Sequence, residues 1–171
     1  MSRFAPRPQS TSFLDRIFGS SSDHGEHQLQ VWLEGTLKRD LKLDSIERDE
    51  DGDIVIAAGS AVVFIRTSDG ETPCIVIFSP LLAEFAMRPE VYEAVNTINR
   101  NTPFAKAIVD PDGPQIVLSA ELPIFDGLSP EQLVATIELV ADRADHYDTR
   151  LQKRFGGQTM LDDEEGDEFD V

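Results

Sequence analysis

The residues of this chain whose types suit chemistry are few, and they do not converge. The densest polar cluster is Asp49-Glu50-Asp51-Gly52-Asp53, which has the composition of a calcium loop. An EF-hand loop takes oxygen ligands at positions 1, 3 and 5, glycine at 6 and glutamate at 12. Counted from Asp49, the sixth residue is Ile54 and the twelfth is Ser60, so the spacing describes a solvated hairpin turn instead. The three histidines are His24, His27 and His146. The last neighbours Asp145 and Asp148 but shares its helical face with no second histidine, so no zinc centre is expected. Cys74 is the only cysteine, which excludes an intrachain disulfide and a cysteine zinc cluster. It lies in an apolar run, where a free thiol acts as a small hydrophobe. No Gly-x-Ser-x-Gly elbow, phosphate-binding Gly-x-x-x-x-Gly-Lys loop or Gly-x-Gly-x-x-Gly turn occurs. With 32 acidic residues carboxylates will meet by chance, and none is singled out as an acid or base. The expectation is no catalytic residue, no metal, no cofactor and no enzyme.

The elements around these residues carry more information. Three runs, Ile54 to Ala58, Ala61 to Ile65 and Cys74 to Phe78, are apolar at nearly every position. Only Gly59-Ser60 and the polar stretch Arg66 to Pro73 join them. A parallel crossover needs a dozen or more residues, so such neighbours pair as antiparallel hairpins. An antiparallel sheet with one wet face alternates apolar and polar residues, and these strands do not. Each face therefore needs a cover, from the chain's own helices on one side and from a partner on the other. Because side chains alternate, Val63 and Ile65 share one face and Val62 and Phe64 the other. These four are the candidate partner-binding residues.

A helix is predicted over Glu26 to Leu43, with Leu29, Trp32, Leu33, Leu37 and Leu41 on one face and Trp32 as a core anchor. A short strand over Ser45 to Arg48 follows. Ser79-Pro80 ends the third apolar run, and Leu81 to Phe85 reads as a link. A second helix spans Pro89 to Asn99, with Asn99 and Asn101 suited to ending it and Asn96 assigned a buried contact to the hairpin beyond, with an interface role as the alternative. That hairpin is Phe104 to Val109 with Gln115 to Leu122. Ser129-Pro130-Glu131-Gln132 is a capping box with a first-turn proline. The long helix it opens ends at Gly156-Gly157, since glycine accepts the left-handed conformation past a helix.

The net charge of −17 repels phosphate backbones and anionic lipid, so neither nucleic acid nor membrane is expected as a partner. Seven acids fall within residues 161–171 and the first 25 residues carry one net positive charge, so the body is acidic as well as the tail. No apolar run approaches the about 18 residues of a membrane span, and no signal peptide is evident. The expected compartment is the cytoplasm.

Val91 to Gly157 resembles the YbjN family and related bacterial peptide-binding chaperone-like domains. The likeness is carried by VYEAVNTINRNTPFAKAIV, by LSAELPIFDGLSPEQL and by ADRADHYDTRLQKRFGG. The resemblance implies the fold of type III secretion chaperones, small acidic cytoplasmic proteins, usually dimeric, that hold partner segments in extended form. The expected organisation is a flexible leader over 1–25, an α+β domain over 26–157 and an acidic disordered tail over 158–171. Within the domain the order is helix, strands, helix, strands, helix around an antiparallel sheet. The expected function is non-catalytic binding of a protein or peptide segment as a homodimer. An acidic regulatory adaptor for a basic protein is the alternative, and a small-molecule enzyme the third reading.

Overall fold

The short links act as anticipated, and the strands join into one antiparallel sheet. In the computed structural model, residues 26–68, 72–110, 112–125 and 127–160 are described; the expected leader, and the tail from residue 161, lie outside them. In chain order the elements are α1 (Glu26–Asp40), β1 (Glu47–Arg48), β2 (Ile54–Ala58), β3 (Ala61–Ser68), β4 (Cys74–Ala83), α2 (Pro89–Asn101), β5 (Lys106–Asp110), β6 (Gln115–Pro123) and α3 (Pro130–Phe155). The strands lie in the order β1-β2-β3-β4-β6-β5. At one edge Glu47 pairs with Val55 and Arg48 with Ile54. At the other, β5 and β6 run in register from Lys106 opposite Ser119 to Asp110 opposite Gln115.

Several boundaries differ from the sequence reading, each for a local reason. α1 stops at Asp40 because Lys42 turns left-handed, at φ 56°. Leu33 and Leu37 form its buried stripe while Trp32 is only half-buried, so the tryptophan borders the core rather than anchoring it. β4 does not end at Ser79-Pro80 but continues to Ala83, with Leu81 and Leu82 buried. Proline deprives a strand of one donor. Beside it, the Ser79 hydroxyl donates to the Val62 carbonyl at 2.8 Å, a buried side-chain tie between β4 and β3. α2 runs on through Asn101.

The described residues form two compact units. The first holds the residues up to Ile56 with Phe64–Ile77 and Glu121–Glu138. Leu33, Leu37, Ile54, Ile65, Ile75 and Leu133 are among its fully buried side chains. α3 opens here on the reciprocal cap: Gln132 N–H donates to Ser129 Oγ at 3.1 Å, and Ser129 N–H to Gln132 Oε1 at 3.2 Å. Inside this unit Arg66 donates to both carboxylate oxygens of Asp53 along one edge of its guanidinium, from Nε at 2.8 Å and from Nη2 at 2.7 Å.

The second unit holds Ala57–Val63, Phe78–Ala120 and the described chain from Leu139 onward. α2 buries Val91, Ala94, Val95 and Ile98 there. Past α3 the chain bridges to the end of β4. Gln158 N–H donates to the Ala83 carbonyl at 2.8 Å, and Ala83 N–H returns a bond to Gln158 at 2.9 Å. Gly157, at φ 89°, lets the chain approach so closely that a Cβ would stand 2.4 Å from the Ala83 oxygen and 3.2 Å from Phe85 Cβ. Gly156, at φ 69°, has open space around it. Gly157→Ala should therefore cost roughly 2–4 kcal/mol, combining backbone strain with overlap, and Gly156→Ala about 1 kcal/mol from strain alone. Urea midpoints of the two variants check this, and equal losses would show that the approach to Ala83 is not a tight one.

Candidate partner-binding site

Val62, Val63, Phe64 and Ile65 stand on adjacent positions of β3, with two on each face of the sheet as alternation requires. The structure buries both sets within the single chain, at 4, 0, 8 and 1% exposure respectively. Every residue of β3 is buried. A sequence of apolar residues on both faces is satisfied as well by internal cover as by a partner.

Large apolar side chains lie open elsewhere. Within the second unit Phe104 is 90% exposed and Tyr92 49%; within the first, Phe125 and Val31 are exposed. Phe104 is unusual twice over, because it also takes the left-handed backbone conformation, at φ 65°, which costs a residue bearing a Cβ about 1–2 kcal/mol. Neither asparagine past Ile98 makes that turn. Thr102 caps α2 in an extended conformation, and Phe104 then reverses the chain into β5. Asn96, expected to be buried, is exposed. The contact to the hairpin comes from Asn99, three residues further along the same helix face. Its Oδ1 accepts the Ala107 N–H at 2.6 Å and its Nδ2 donates to the Ala107 carbonyl at 3.2 Å. Tyr92, Asn96 and Asn99 follow a spacing of four and three, which puts them on one side of α2. An exposed aromatic in a strained turn leaves no period in a sequence, so this surface escapes a pattern-based reading.

The polar clusters work as structure. Asp49 accepts the N–H groups of Asp51 and Asp53 at 3.1 and 2.8 Å, so the acid-rich turn folds on its own carboxylate, and burial pushes that carboxyl up. Cys74 is half-buried, and burial likewise pushes its thiol up, disfavouring the reactive thiolate. The Gly59-Ser60 turn is held by α3. Asp145 Oδ1 accepts both the N–H and the hydroxyl of Ser60, at 2.6 and 2.7 Å, and the hydroxyl also lies 2.7 Å from Asp148 Oδ2. Gly59 is required at φ 63°, for a Cβ there would stand 2.5 Å from the same carboxylate oxygen.

The Ser60 hydroxyl, followed by its N–H, holds the Asp145 carboxyl below its ordinary value of 3.8. A carboxyl depressed in the folded state adds stability above its unfolded value, and this is lost as pH falls through the folded value. The Ser60 amide should stay protected from hydrogen exchange at pH 6 and open below pH 3.8. In Asp145→Asn that acid-dependent opening should vanish. An identical pH profile in the variant would remove Asp145 as the group responsible.

Residues 27–163 match the family model described as T3SS (YopN, CesT) and YbjN peptide-binding chaperone 1. Among solved structures, the HopA1–SchA chaperone–effector complex gives a TM-score of 0.56 at 12% identity, covering 75% of this chain and 98% of that one. The ExsC–ExsE complex gives 0.55 at 16% identity, covering 72% and 92%. YbjN from E. coli gives 0.50 at 16% identity, covering 81% and 100%. At these identities the likenesses show the fold. No curated protein sequence matches the chain.

Proposed function

We propose, from the premise that the chain belongs to the T3SS (YopN, CesT) and YbjN peptide-binding chaperone family, that it holds a segment of another protein without altering it chemically. The observation that carries the reading to a place on the molecule is Phe104. A solvated phenylalanine forfeits burial worth about 2–3 kcal/mol, and this one sits in a strained turn besides. A contact surface offsets both costs. Tyr92 on α2 supplies a second aromatic in the same unit, of the kind enriched at interfaces. Val62, Val63, Phe64 and Ile65 enter this proposal as the core that shapes the sheet, not as the residues a client touches.

Peptide arrays read by fluorescence anisotropy test the proposal on the full chain. Extended apolar segments should bind, and Phe104→Ser should weaken them at least tenfold with no change in melting temperature. Wild-type protein that binds no segment, or a variant that binds as well, sinks the reading. The charge of −17 favours the second reading, an acidic adaptor for a basic protein. Attraction between exposed charges is screened over about 8 Å at physiological salt, so affinity that collapses between low and high salt selects the adaptor. The homodimer is the finer part of the proposal. With β3 covered from within, its support is the exposed Phe104 and the family. Light scattering that reads 19.0 kDa at micromolar concentration would retire it.

A further inference from the structure

Asn99 does for Ala107 what a neighbouring strand would do. β5 is an edge strand, with β6 on one side and no strand on the other among the described residues. In an antiparallel ladder the N–H and C=O of one residue point the same way, and successive residues point to opposite sides. Both groups of Ala107 go to the side-chain amide of Asn99. Ala107 therefore faces outward, as does Val109, while Lys106, Ile108 and Asp110 face their partners on β6. The primary amide presents one acceptor and one donor, the same pair an added strand would offer at that rung. Of the two outward rungs of this five-residue strand, one is already taken, and a single remaining rung is a poor template.

We infer that Asn99 is a built-in strand mimic that closes the outer edge of β5 to strand addition by another chain. An open edge beside an aromatic as exposed as Phe104 would be a site for self-pairing, and the occupant excluded is the β5 of a second copy. The same closure directs any added client strand away from β5. The inference does not depend on the client reading, because it concerns the free protein and needs no peptide for its test.

Amide hydrogen exchange on the full-length wild type gives the first measurement. At low protein concentration the Ala107 amide should exchange at least about tenfold more slowly than that of Val109, its uncapped outward neighbour. Equal rates would overturn the assignment. Light scattering across a concentration series gives the second, in the Phe104→Ser background so that pairing through the aromatic is absent. Asn99→Ala should gain mass with concentration and the parent should not. Asn99→Asp should stay at the parent's mass, since its carboxylate still accepts the Ala107 N–H and sets a charge on the edge. An Asn99→Ala protein that melts earlier but keeps the parent's mass would make Asn99 a staple of the α2–β5 turn and nothing more. Should that variant not fold, the wild-type exchange ratio decides alone.

Discussion

Each of the substitutions Val62→Asp, Val63→Asp, Phe64→Asp and Ile65→Asp is expected to unfold the protein rather than disarm a docking face. All four side chains are at least nine-tenths buried, and Val63 and Ile65 are excluded from solvent almost completely. A carboxylate placed there has no partner, and its desolvation costs several kcal/mol. To this is added the loss of the apolar side chain, about 2–5 kcal/mol for a truncation in a packed core. The sum approaches the whole stability of a typical domain, about 5–15 kcal/mol. Phe104→Asp is the control: at 90% exposure it should shift stability by no more than about 0.5 kcal/mol. Circular dichroism melts of the five proteins decide the matter. One β3 variant that keeps its melting temperature while losing a partner would return that face of the strand to the binding surface.

How far the sequence can be read is clearest at the turns. Gly59-Ser60 is too short for a crossover, and Ser129 to Gln132 has the residues of a capping box; local chemistry dictates both outcomes, and both are found. β4 shows where local signals mislead. Pro80 is a breaker by composition, yet the strand runs on through it to Ala83. The identity of what covers an apolar face is harder still. The lack of apolar and polar alternation along β3 shows that both faces are dry, but a helix of the same chain and a helix of another bury it equally well. The candidate site was hidden for a related reason. Phe104 is one aromatic among ten phenylalanines, and only coordinates show that it is exposed. Asn99 and Asn96 are the same residue type three positions apart, and which of them meets Ala107 depends on where α2 lies against β5.

Asp53 illustrates the same limit and supports the second large effect. In the sequence it is the last member of an acid cluster, and Arg66 opens what reads as a polar link. In the fold Arg66 lies on β3, and the two side chains meet at 10% and 5% exposure in a bidentate pair. Asp53→Ala is expected to cost about 3–5 kcal/mol, because it removes both charge-assisted bonds that this carboxylate accepts from a buried guanidinium. Asp53→Asn should fare little better, since it keeps the shape but not the charge. Arg66→Lys should also be poor, as a point charge cannot reproduce the two parallel bonds of the fork. The pair itself is a different quantity. Exchanging both residues together, as Asp53→Val with Arg66→Met, removes both buried charges at once and should recover most of the loss. Urea midpoints for the two singles and the double complete the cycle. If each single variant loses less than about 1 kcal/mol, or the double loses the sum of the two, the ion pair is not the element that holds β3 in place.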